Sequence, residues 1–127
     1  MRPISEIKIL VVDDYREMIA IIRRMLLQFG FSAIDDAADG PSALAKLRQG
    51  AYDLVISDMI MTPMDGLGLL REIRADAGLR ALPLIMVTAS PDERDILAAI
   101  EAGVTAYILK PFTAALLRQR IDAALSA

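Results

Sequence analysis

The chain has 127 residues, enough for one domain with a single hydrophobic core and little room for a second. It contains no cysteine and no histidine, which excludes disulfides, thiolate or imidazole metal centres, the usual general base, and a phosphohistidine of its own. A formal net charge of −3, from 17 acidic and 14 basic residues, gives no global positive field for nucleic acid, and the opening apolar run Ile9–Val12 is too short for a signal core or a membrane span, so a cytoplasmic protein is expected.

Short aliphatic runs alternate with longer amphipathic stretches. Ile7–Val12 reads as a strand buried on both faces and ends in Asp13-Asp14. Tyr15–Phe29 places Met18, Ile22, Met25, Leu26 and Phe29 on one helical stripe, stopped by Gly30. Ser32–Ala37, polar and acidic toward its end, suits an edge strand. Asp39 caps a helix through Ala43, Leu44 and Leu47, with Pro41 in its first turn and Gly50 as its stop. Leu54–Ser57 is the third strand and runs into Asp58. Asp65 caps a helix over Gly66–Ala77 that buries Leu67, Leu70 and Ile73.

Leu84–Val87 is the fourth strand, followed by Thr88-Ala89. Pro91-Asp92-Glu93 opens a helix through Leu97 and Ile100, closed by Gly103. Leu97 and Ile100 are expected to face the sheet, which leaves Ile96, with Ala99 and Gly103 on its own side, as a candidate partner surface. Ala106–Leu109 is the fifth strand and leads into Lys110-Pro111. Thr113 caps a last helix that carries Leu116, Leu117, Ile121 and Leu125. Arg23, Arg24, Arg71 and Arg74 read as ordinary exposed charges, and Arg118 and Arg120 as a solvated face.

This alternation implies an α/β fold with a parallel sheet covered by helices on both faces, and ligand sites in such sheets lie at the C-terminal ends of the strands. Asp13-Asp14, Asp58, Thr88 and Lys110 all follow strands, so the topology carries them to one edge. Acids gathered from adjacent strands repel one another unless a cation joins them. Hard carboxylate oxygens suit Mg²⁺, which keeps waters and leaves room for a phosphate. An ionised Asp is a competent nucleophile toward phosphorus once the incoming charge is neutralised, and it needs no general base. Lys110 is a mobile point charge for a phosphoryl oxygen, and the Thr88 hydroxyl can donate to another.

Over essentially its whole length the chain resembles the CheY-like receiver domains of two-component response regulators. The segments that carry the resemblance are Ile9–Tyr15 (ILVVDDY), Leu54–Gly66, Ile85–Ala89 (IMVTA) and Glu101–Phe112 (EAGVTAYILKPF). It implies a flavodoxin-like, doubly wound, five-stranded parallel sheet of order 2-1-3-4-5 with five helices, and one receiver domain over residues 1–127. Asp58 then matches the phosphoacceptor and Asp14 the acid that binds Mg²⁺ directly. Asp13 matches the acid that usually acts through water, and the main-chain carbonyl of Ile60 a further metal ligand. Thr88 and Tyr107 match the switch pair, Lys110 the phosphate-pairing lysine, Lys110-Pro111 a cis bond, and Ala89 a small residue that leaves the site open. The implied phosphoryl donor is a sensor histidine kinase or a histidine phosphotransfer protein. The implied output is a downstream protein bound at the face of the fourth helix, fifth strand and fifth helix, a surface that includes Ile96, Ala99 and Tyr107. Direct contact with nucleic acid or membrane is not implied, and the expected state is a monomer or a weak phosphorylation-dependent dimer. The chain would catalyse only its own phosphorylation and dephosphorylation.

Two residues depart from the common pattern. Thr62 stands where most receivers have Pro, with Pro63 one step later, where it still stiffens the loop. Ile60 is apolar where many relatives are polar, and is expected to hinder the water that attacks the phosphoryl group. A haloacid-dehalogenase-type phosphatase would need an acid at position 60 and is disfavoured. A phosphorylation-independent interaction module normally loses an acid or the lysine, and all are present here. A receiver cut from a larger regulator remains an alternative in which the same site chemistry holds.

Overall fold

Strands form where the sequence offers nearly continuous Ile, Val and Leu, because both faces of those segments are covered. The computed structural model describes residues 2–126. A 3₁₀ turn, Ile4–Glu6, leads into β1 (Lys8–Val12), followed by α1 (Arg16–Gln28), β2 (Ala33–Ala37), α2 (Gly40–Gln49), β3 (Leu54–Ser57), α3 (Gly66–Ala75), β4 (Leu84–Thr88), α4 (Glu93–Glu101), β5 (Ala106–Leu109) and α5 (Ala114–Ser126). The five strands form one parallel sheet in the order β2-β1-β3-β4-β5, the flavodoxin-like arrangement.

Alternation along each strand sends side chains to two separate cores. Leu10, Val12, Val55, Leu84 and Met86 pack with α2, α3 and Ala99 on one face. Ile9, Val11, Leu54, Ile56, Ile85, Val87 and Ile108 pack with α1 and α5 on the other. Helix starts are set by side-chain caps: Asp39 accepts from the Ser42 N–H at 2.8 Å, Asp65 from Gly68 at 2.7 Å, and Thr113 Oγ1 from Leu116 at 3.1 Å. Gly66 is required by close approach, since a Cβ there would lie 2.1 Å from the Asp58 carbonyl oxygen. Among the described residues no helix is long and apolar enough to cross a membrane.

Three expectations change. Helix α3 ends at Ala75, where the Asp76 carboxylate reaches forward to accept from the Gly78 N–H, and it buries Leu69 beside Leu70 and Ile73 while Leu67 is half-buried. In α4 the faces are reversed. Ala99 is fully buried, Ile96 is half-buried, and Leu97 and Ile100 are 56% and 58% exposed. The nine-residue α4 lies on the α3-side core through its smallest side chain, which lets the backbone approach, and Ala99 is therefore not part of any partner surface. Arg23 is not an ordinary exposed charge, being half-buried and paired with Asp36 at 2.6 Å, and neither is Arg74. Arg74 is half-buried and donates to the carbonyls of Gly103 (3.0 Å), Arg80 (3.1 Å) and Leu82 (2.6 Å), tying the end of α3 to the turn after α4.

Candidate functional site

The sheet's hydrogen-bond ladder runs one residue beyond its strands, and that extension fixes the backbone of the site. The Asp13 N–H donates to the Ala37 carbonyl at 3.1 Å, Asp58 to Val12 at 2.9 Å, and Lys110 to Thr88 at 2.9 Å. The side chains of Asp13, Asp58 and Lys110 are thus aimed by rigid backbone rather than by a free loop. One carboxylate oxygen each from Asp13, Asp14 and Asp58 lies within 4.8 Å of the others. Two ionised carboxylates at that separation repel by roughly 3 kcal/mol in a medium of intermediate polarity.

Lys110 offsets part of this. Its Nζ sits 3.3 Å from Asp13 Oδ2 and 3.7 Å from Asp58 Oδ1. Asp13 Oδ1 also accepts from the Tyr15 N–H at 2.9 Å, and Asp58 Oδ1 from Met59 at 2.8 Å. Asp13 and Asp58 are buried, whereas Asp14 faces solvent. Burial pushes the Asp58 carboxyl up from its ordinary value; Lys110 opposes this and Asp13 adds to it. Three carboxylates against one ammonium leave excess negative charge facing an open edge. Oxygen-only donors at this spacing fit a hard divalent ion such as Mg²⁺.

The remaining predicted residues line the flank of this cluster. Thr88 is fully buried at the end of β4, and its Oγ1 accepts from the Ser90 N–H at 3.3 Å. Tyr107 is half-buried against the α3-side core, and its hydroxyl donates to the Ser90 carbonyl at 2.9 Å. Burial raises its phenol above the ordinary value. The Ile60 side chain is 63% exposed immediately after the Asp58–Met59 pair. Both Lys110-Pro111 and Thr62-Pro63 are cis, the second giving the path of the MTPMDG loop.

Sequence reasoning alone does not single out Ser90 and Asp95. Ser90 Oγ donates to Asp95 Oδ2 at 2.5 Å and accepts from the Asp92 N–H at 3.4 Å, so one residue bonds Thr88, Tyr107 and α4. The Ser-Pro-Asp turn just before a capped helix is the signal that could have found it.

Over residues 9–122 the sequence matches the family described as the response regulator receiver domain. The chain belongs to that family. Among its relatives, this receiver is 44% identical over 118 residues to the chemotaxis protein CheY-3 of Vibrio cholerae serotype O1, covering 93% of this chain and 91% of that protein. It is also 44% identical over 115 residues to the chemotaxis protein CheY of Pseudomonas aeruginosa, covering 91% and 93%. Its structure is similar to that of a putative response regulator from Chloroflexus aurantiacus, with a TM-score of 0.89 at 29% identity over 94% of this chain and 98% of the other. The receiver domain of a signal transduction histidine kinase from Syntrophus aciditrophicus gives 0.87 at 30% identity, over 94% and 89%. This receiver is therefore a CheY-like signalling module of two-component systems.

Proposed function

We propose that this receiver, read as one domain over residues 1–127, accepts a phosphoryl group on Asp58 from the phosphohistidine of a sensor histidine kinase or histidine phosphotransfer protein. The observation that carries this is the convergence of Asp13, Asp14 and Lys110 on the Asp58 carboxylate. A carboxylate oxygen of Asp58 forms the new bond to phosphorus as the phosphorus–nitrogen bond breaks, and the electron pair leaves with the donor imidazole. Asp13, Asp14, Asp58 and the Ile60 carbonyl would hold Mg²⁺, which when bound neutralises charge on the phosphoryl oxygens. Lys110 exchanges its contact with Asp13 for a phosphoryl oxygen, and the Thr88 hydroxyl donates to another.

Thr88 can move only by disturbing its bond from Ser90, and Ser90 in turn holds Tyr107 and α4. That linkage supports a population shift read at the α4-β5-α5 face by a downstream protein, with Ile96 and Tyr107 on it. The exposed Ile60 side chain hinders water at the acyl phosphate and lengthens its life. The chain works in the cytoplasm, as a monomer or weak phosphorylation-dependent dimer, without direct contact to nucleic acid or membrane. Intact-mass spectrometry after incubation with acetyl phosphate and Mg²⁺ tests the reading. Gain of one phosphoryl group by the native chain and none by Asp58→Asn is expected; equal gain by both would refute it.

A further inference from the structure

The two edges of the sheet belong to β2 and β5, and β2 is the five-residue strand with a run of two acids, Ala-Ile-Asp-Asp-Ala. In a parallel ladder the main-chain groups of alternate residues point to opposite sides. The Ala37 carbonyl accepts from the Asp13 N–H, so Ala37, Asp35 and Ala33 face β1. Ile34 and Asp36 then direct their carbonyls and N–H groups away from the sheet. An edge of this kind is a template for strand addition.

Both outward carbonyls are occupied, and each by a basic side chain. Arg23 of α1 donates from Nη1 to the Ile34 carbonyl at 3.2 Å, while its Nη2 holds the Asp36 carboxylate at 2.6 Å. Lys46 of α2 donates from Nζ to the Asp36 carbonyl. The two helices cover opposite faces of the sheet, so the edge is gripped from above and below. Arg23 also neutralises an acid on the edge strand it blocks. Neither side chain touches the phosphoacceptor cluster, and a purely solvated role does not account for two cations reaching the two acceptors that face outward.

We infer that Arg23 and Lys46 are edge guards: they close a strand-addition surface on β2 that would otherwise pair with β2 of a second copy of this chain. Such a pairing is self-complementary about a two-fold axis, because an antiparallel strand pair offers the same donors and acceptors from both sides. Removing the guards frees the acceptors but leaves Asp36 uncompensated, and that charge would oppose the pairing. The informative variants are therefore Arg23→Ala/Lys46→Ala and the same pair with Asp36→Asn.

The test is light scattering on size-exclusion fractions over a concentration series, with circular dichroism to establish that each variant is folded. The native chain is expected to run at its monomer mass of 13.8 kDa. The triple variant is expected to self-associate at least about tenfold more tightly than the native chain, with the double variant between them. Adding Ile34→Pro to the triple background, which removes an outward donor, should return it to monomer. A folded triple variant that stays as monomeric as the native chain at every concentration would overturn the inference. If that variant does not fold, Arg23→Ala/Asp36→Asn, which frees the Ile34 carbonyl without leaving an unpaired acid, carries the test: increased association supports the inference, and native behaviour overturns it.

Discussion

Two half-buried cations organise this molecule, and they sit in opposite surroundings. Arg74 spreads its planar guanidinium over three main-chain carbonyls, each of which would otherwise end a helix or turn without a donor. Lys110 sits between two carboxylates, neither of which it satisfies fully, at 3.3 and 3.7 Å. The first arrangement is closed: all three carbonyls are filled, and movement would only lose bonds. The second is left with net negative charge, so further positive charge lowers its energy and the ammonium is free to change partner. What separates the two cations is the balance of charge around each.

Substitutions at the two sites should therefore dissociate. Lys110→Ala is expected to slow phosphoryl uptake from acetyl phosphate by on the order of a hundredfold, the usual cost of deleting one group that stabilises developing charge. With Mg²⁺ present its urea unfolding free energy should shift by about 1 kcal/mol or less. Arg74→Ala should do the reverse, costing about 2 kcal/mol, chiefly through the part-buried Leu82 carbonyl, while uptake per folded molecule is retained. Arg74→Lys should recover only part of that loss, because a single ammonium cannot span the three acceptors. If Arg74→Ala proved harmless to stability, or Lys110→Ala left uptake intact, the contrast between the two cations would fail.

A third substitution sharpens the reactive side. Ile60 is a large apolar side chain exposed beside a polar cluster, where burial gives it little reason to be. Replacing it by Asn should admit and orient water, and shorten the lifetime of the phosphorylated chain by about tenfold, a change of roughly 1.4 kcal/mol in the barrier. Following loss of the phosphoryl mass with time decides it. An unchanged lifetime would return Ile60 to a surface residue with no kinetic role.

The place of Lys110 could be read from sequence and that of Arg74 could not, for a physical reason. Asp13, Asp58 and Lys110 each directly follow a strand whose hydrophobic run is unmistakable, and parallel topology alone brings strand ends together. The acceptors of Arg74 lie six, eight and 29 residues along the chain in irregular turns, where no periodic signal places them. Helix α4 fails for a related reason. Its apolar residues Ile96, Leu97 and Ile100 allow two stripes, and the larger side chains suggest the wrong one. The contact is made by Ala99 because close approach to the α3-side core, not bulk, decides the face. Edge strand β2 was legible from its acids, but the grip of Arg23 and Lys46 on its carbonyls depends on the register of helices against the sheet.

A smaller effect checks the same principle on a phenol–carboxylate pair at the far end of the sheet. The Tyr52 hydroxyl donates to Asp35 Oδ2 at 2.6 Å, and the Lys8 ammonium lies 4.5 Å from the ring centre and 3.8 Å from the same carboxylate. Burial first, then the hydrogen bond and charge of Asp35, push the phenol from 10.0 up to about 12. The fold therefore holds the proton more tightly than the unfolded chain does. The contribution of this pair is fully present below pH 10 and is lost as pH rises from there toward about 12, because the unfolded state releases its proton first. Tyr52→Phe removes that source of alkaline loss while leaving the other tyrosines and the lysines in place. Urea midpoints measured across this interval should fall more steeply for the native chain than for Tyr52→Phe. Parallel slopes would mean that Asp35 does not hold the phenol proton, and that the charge balance around a buried group is a poorer guide at this end of the sheet than at Lys110.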